Sequence, residues 1–275
     1  MGRKQPTQMR GDPADVAFFD LMNSHLPRTF AAVMRRLPSE PRCRLCHAPY
    51  GGVGGRIMRR LGFGPSRKNP GLCNTCFEKA PMGGVDMEVG ILFADVRGFT
   101  SMAEGMAPGE VAELLNRFYA TASQILGRSA IIDKLVGDEI MALYIPMLLD
   151  DGWESEMVTD ATELLGSVGF GSSDAPWLPL GIGLDLGRAY VGNVGSGEVK
   201  DFTALGDAVN TASRLQSAAA AGQIVLSARL AERLPDRTSI ADAVTLTLKG
   251  KAEPEAVHVL DLRAGAAGDK TGAGT

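Results

Sequence analysis

No uncharged apolar stretch reaches the roughly 20 residues that span a bilayer. The longest candidate, Ile140 to Leu149, is half that and contains Pro146. Arg3 and Lys4 have no apolar segment behind them, so no secretory signal is expected, and the expected setting is cytoplasmic with no membrane partner. Aromatic residues are scarce, at 6%. None interleaves the arginines as a nucleic-acid stacking platform would require, so nucleic acid is not an expected partner. There is no internal repeat. With no export signal expected, the four cysteines argue for metal or redox chemistry rather than a disulfide framework.

The composition that is present, 45% hydrophobic and 22% charged over 275 residues, is that of one large domain or a domain with an accessory module. The net charge of −4 conceals a split. Residues 1–85 carry 14 Lys and Arg against 5 Asp and Glu (+9), and the remainder carries 14 against 27 (−13). Two units with different surfaces are expected, with the basic one lying against its own acidic body or meeting an acidic partner.

The expected organisation is an N-terminal helical and metal-binding module over 1–84, a catalytic domain over 85–263 and a loose tail over 264–275. Asp12 and Pro13 suit a helix start, and Pro27 should divide residues 12–37 into two helices. Residues 38–84 are rich in glycine pairs and proline, and little regular structure is expected there. Gly90 to Val96 reads as a buried strand, and Val111 to Ile125 has helical spacing. Ile131 to Ile145 reads as a hairpin with Gly137 and Asp138 at its tip. Met157 to Val168 gives a second amphipathic helix, and Leu178 to Leu186 alternates as a strand. Gly187 is expected to turn that strand into a hairpin through Val194. A helix over Asp207 to Ala219 and short strands near Ile224, Leu246 and Val259 complete an α+β, ferredoxin-like βαββαβ arrangement.

Three segments carry candidate chemistry. Asp95 closes the buried strand, and Asp138 sits at the hairpin tip three residues beyond Leu135 and four beyond Lys134. If these elements are neighbours, two carboxylates project together, an ordinary arrangement for Mg²⁺ carried by nucleotide phosphates. Asn210 and Arg214, four apart on the helix, stack on the side opposite Ala208, Val209, Ala212, Leu215 and Ala219. Such a pair is either a solvated face or a clamp for a charged transition state.

The segments Phe93–Thr100, Asp133–Met141, Gly181–Gly195 and Phe202–Leu215 resemble the class III nucleotidyl cyclases, over about Asp86 to Leu262. The resemblance implies that Asp95 and Asp138, with the backbone carbonyl of Val96, hold two Mg²⁺ or Mn²⁺ ions. It implies that Lys134 and Thr203 contact the purine, that Asn210 orients the ribose and that Arg214 meets the α-phosphate. Lys249 matches the lysine of the terminal phosphates, with Lys251 close by. Thr203 stands where the commonest subclass has aspartate, a mark of subclass b. Lys134 favours ATP, so the implied function is a homodimeric adenylate cyclase in intracellular signalling. A guanylate or mixed-specificity cyclase is the alternative, followed by a non-catalytic dimeric signalling protein.

Cys43-x-x-Cys46 and Cys73-x-x-Cys76, with 26 residues between the pairs, form the spacing of a four-cysteine zinc site. An iron–sulfur cluster would use the same thiolates. Cys43 to His47 is also a haem-attachment pattern, but that attachment requires export, and the βαβ context of thioredoxin-like redox chemistry is missing.

Overall fold

The computed structural model describes residues 13–24, 26–27, 29–37, 41–66, 71–196, 199–235, 243–246 and 254–263. Asp12, Lys249, Lys251 and the tail from 264 onward lie outside them.

Helices α1 (Pro13–Asn23) and α2 (Phe30–Arg35) flank Pro27, which cannot donate a backbone hydrogen bond. Two further helices follow, α3 (Gly52–Arg60) and α4 (Asn74–Glu78), so the glycine-rich segment holds more regular structure than its composition suggests. At Gly55 the glycine serves packing. A Cβ on Gly55 would stand 2.1 Å from the Tyr50 carbonyl oxygen, and only glycine lets α3 sit so close to the preceding chain.

The body begins with β1 (Gly83–Val96), followed by α5 (Phe99–Glu104), α6 (Pro108–Leu126), the hairpin β2 (Ile131–Val136) and β3 (Glu139–Tyr144), and α7 (Trp153–Ser167). Then come β4 (Leu180–Ser196), β5 (Val199–Leu205), α8 (Asp207–Ala218), β6 (Gln223–Ser227), α9 (Ala228–Ala231), β7 (Val244–Leu246) and β8 (Glu255–Asp261). The sheet runs β2-β3-β1-β4-β6-β8-β7, with β5 paired to β4 alone. The first four strands are antiparallel throughout, which is the ferredoxin-like order with α6 and α7 as its crossover helices.

One expectation fails at Gly187. Strand β4 runs straight through it, pairing Gly187 with Val89 of β1, and continues to Ser196, which pairs with Val199 of β5. The glycine marks a close approach instead of a turn, because a Cβ there would meet Ala208 of α8 at 3.0 Å and the Arg229 guanidinium at 3.2 Å.

The alternation of β1 sends its side chains into two cores. Leu92, Ala94 and Val96 join Phe118, Leu126, Trp153 and Leu164 beneath α6 and α7. On the opposite face Met87, Val89, Ile91 and Phe93 share a second core with Phe18, Met22, Leu45, Leu72 and Phe77. Asn193 of β4 donates to the carbonyls of Ala80 and Pro81 at 3.1 and 2.9 Å. The N-terminal segment thus covers the sheet face that α8 leaves open, and large side chains, not cysteines alone, hold it there. Among the described residues no helix is long and apolar enough to cross a membrane.

Candidate active site

The carboxylates of Asp95 and Asp138 meet because of sheet register. Asp95 pairs with Glu139 across β1 and β3, and Asp138 immediately precedes Glu139 in the turn. Gly137 takes φ +60°, a left-handed conformation that glycine adopts readily and that this tight turn uses. Burial pushes the Asp95 carboxyl up to about 6; Arg97 opposes this, and Asp138, within hydrogen-bonding reach, adds to it. Arg97 donates to Asp95 Oδ2 at 2.7 Å. Gln216 of α8 lies near enough to the Asp95 carboxyl to oppose the rise slightly. Glu139 supplies a third acid whose pKa is raised by burial and by Asp138. Two half-buried carboxylates in mutual contact, with oxygen donors only, form a set that suits a hard divalent cation.

Arg97, Gln216 and Glu139 were not singled out in the sequence. Arg97 was legible in principle, lying two residues past Asp95, whereas Gln216 arrives from a helix about 120 residues on.

Val96 ends β1 opposite Leu180 and is buried. Lys134 is exposed on β2. Thr203 is buried on β5, and its hydroxyl donates to Asp133 Oδ2 at 2.7 Å. On α8, Ala208, Ala212 and Leu215 pack inward while Asn210 is exposed and Arg214 half-buried, as the helical spacing requires. Among the described residues neither the Asn210 nor the Arg214 side chain bonds Asp95 or Asp138. One chain therefore brings together the two acids, and separately presents the Asn210 and Arg214 face.

The four cysteines converge as their spacing predicts. All four Sγ atoms are buried and lie within 4.8 Å of one another. Cys46 and Cys73 Sγ are 3.7 Å apart. A tetrahedral ion with Zn–S bonds of about 2.3 Å places its sulfurs about 3.8 Å apart, so the cluster fits a single zinc ion. The amides of Cys73 and Cys76 donate to the sulfurs of Cys43 and Cys73, both at 3.3 Å. Burial raises the Cys43 thiol, but hydrogen bonds from the other three cysteines outweigh it and hold it well below its usual value. His47, at φ +60°, turns the chain directly after Cys46 and is not one of the four clustered groups.

Residues 85–261 match the family described as the adenylate and guanylate cyclase catalytic domain. The chain belongs to this cyclase family. An adenylate cyclase of Anabaena cylindrica is 32% identical over 209 residues, covering 67% of this chain and 40% of that protein. An adenylate cyclase of Mycobacterium tuberculosis is 30% identical over 168 residues, 60% of this chain and 37% of its own length. The chain thus spans about two fifths of the length of these cyclases. Among solved structures, the guanylyl cyclase Cya2 superposes with a TM-score of 0.59 at 30% identity, covering 65% of this chain and 94% of that one. The adenylyl cyclase CyaB from P. aeruginosa superposes with a TM-score of 0.55 at 25% identity, covering 65% and 96%. The cyclase match begins at Val85, so the four-cysteine segment is outside it.

Proposed function

We propose that this cyclase is an adenylate cyclase, converting ATP to 3′,5′-cyclic AMP and pyrophosphate. The observation that carries the reading is the contact between Asp95 and Asp138 at adjacent strand ends, with Lys134 on the same hairpin. Asp95, Asp138 and the Val96 carbonyl would hold two Mg²⁺ or Mn²⁺ ions, which when bound offset phosphate charge and ease deprotonation of the ribose 3′-hydroxyl. Lys134 and Thr203 take the purine edge. Asn210 orients the ribose so that its 3′-oxygen lies in line with the α-phosphorus, and Arg214 places its charge where the transition state gathers negative charge. Lys249 takes the terminal phosphates. The 3′-oxygen forms the new bond to phosphorus as the pyrophosphate oxygen leaves with its electron pair.

Among the described residues the acids and the Asn210/Arg214 face are not bonded to each other, which supports a site completed by a second copy. A symmetric homodimer would then hold two such sites. At the cysteines, the close spacing of the four sulfurs favours one structural Zn²⁺ over a multi-iron cluster, whose thiolates stand further apart.

The test uses the purified chain with ATP and with GTP. Cyclic AMP should form, and Asp95→Ala and Arg214→Ala should each lower the rate on the order of 100-fold or more. Mixing the two inactive variants should restore activity, because one site of the heterodimer escapes both lesions. No recovery in demonstrably mixed dimers would remove the shared site, and near-normal rates in Asp95→Ala would remove the metal assignment.

A further inference from the structure

Strand β2 slips register against β3 between Ile132 and Lys134, which leaves Asp133 outside the regular ladder. A bulge of this kind re-aims a side chain. Here the carboxylate reaches β5, which pairs only with β4 and is no neighbour of β2 in the sheet. Thr203 Oγ1 and Asp133 Oδ2 are 2.7 Å apart, a contact between positions 70 residues apart in the chain. Asp133 is 4% exposed and Thr203 5%. Water hardly competes for this bond, and a carboxylate buried so deeply requires hydrogen-bond donors.

The direction of the bond follows from the chemistry of its partners. A carboxylate can only accept, whereas a threonine hydroxyl carries one proton and two lone pairs. The proton is committed to Asp133, so the hydroxyl has only lone pairs to offer a third group. At the corresponding place on their six-membered rings, adenine carries the N6 amino donor and guanine the O6 acceptor. An acceptor-only hydroxyl complements the first and opposes the second.

We infer that Asp133 is a positioning residue that fixes Thr203 as a hydrogen-bond acceptor and thereby selects adenine over guanine. The inference rests on the reading of Thr203 as a purine contact. A lone threonine at this position is ambivalent, because a free hydroxyl turns to donate or accept. With Asp133 behind it, the pair acts as one acceptor, equivalent to a carboxylate held one bond further from the base. Lys134, the next residue, is exposed on the same bulged strand, so a single distortion sets both purine contacts.

The experiment measures kcat/KM for ATP and for GTP with the full chain. Asp133→Ala frees the hydroxyl to rotate, and the ATP-to-GTP ratio of kcat/KM should fall at least about tenfold, the usual consequence of an unmatched polar contact in a closed site. Combining Asp133→Ala with Thr203→Asp puts an acceptor-only group at the base directly, and the ATP preference should return. If Asp133→Ala does not fold, Asp133→Leu fills the space without an acceptor and carries the same comparison. Equal losses on both nucleotides with an unmoved ratio would show that Asp133 only supports packing, and would overturn the inference. A wild-type chain that cyclises neither nucleotide would defeat the cyclase reading itself. An active wild type with an unmoved ratio in the variants would defeat this inference alone.

Discussion

Individual charged residues in this molecule are arranged by what surrounds them, and Asp160 shows how. It sits on α7, 4% exposed, where it accepts from the buried Tyr144 hydroxyl at 3.0 Å. Burial raises its pKa to about 6; Tyr144, Ser129 and Arg128 oppose the rise and Glu156 adds to it. A carboxyl whose folded pKa exceeds its unfolded value binds its proton more tightly when folded. Its contribution therefore favours folding at low pH, and that contribution is lost as pH rises from about 4 through about 6. Asp160→Asn keeps an acceptor for Tyr144 and removes the charge. The variant should gain thermal stability relative to wild type at about pH 7 and lose that advantage near about pH 4.5. Melting both proteins across this range checks it; an offset that stays constant with pH would assign the difference to packing instead.

At the scale of elements, helix α8 is placed by a glycine. A Cβ on Gly183 of β4 would stand 2.1 Å from the Gln216 amide nitrogen and 2.4 Å from the Ala212 carbonyl oxygen. Gly183→Ala should push α8 away from the sheet at a cost of about 1–3 kcal/mol. Because α8 carries Asn210, Arg214 and the Gln216 that reaches Asp95, activity should fall by more than the lost folded fraction explains. Gly166→Ala, on α7 with nothing within 4 Å of the added Cβ, is the control and should hold or raise stability. Denaturant midpoints and turnover on the same preparations decide between the two. Gly183 and Gly187 also mark the limit of what the chain's pattern discloses. Periodicity revealed the strands, the helices and the inward face of α8, because burial imposes 2-residue and 3.6-residue spacings locally. A glycine at a turn and a glycine under a crossing helix look alike in sequence, which is why β4 seemed to end at Gly187. Asp95, Asp138, Lys134, Asn210 and Arg214 were visible as motifs, whereas Asp133 and Gln216 matter through partners 70 and about 120 residues away. Contacts at such separations leave no local spacing to read.

At the scale of the whole molecule, the basic N-terminal segment and the acidic cyclase body share one buried core. Arg44, between Cys43 and Cys46, donates to the carbonyls of Ser129 and Leu148 at 3.2 and 3.4 Å, near Glu156, Asp150 and Asp160. Phe77 follows Cys76 directly, and its ring packs tilted against Phe202, the neighbour of Thr203, with centroids 5.4 Å apart. Phe18 meets the same ring at 6.3 Å. An ion on the four sulfurs would thus fix the aromatic wedge that backs the proposed purine contact. Purified protein should contain about one zinc per chain, since four-cysteine sites close with a single ion. Removing it with a chelator, or replacing Cys76 with Ser, should lower the melting temperature of the whole chain in a single transition. The reason is that Met87, Val89, Ile91 and Phe93 of β1 share their core with Leu45, Leu72 and Phe77. KM for nucleotide should rise with it, through Phe202. Calorimetry of the zinc-loaded and zinc-stripped chain provides the measurement. Two separate transitions, with the cyclase body melting at an unchanged temperature, would show that the shared core does not couple the metal site to the sheet.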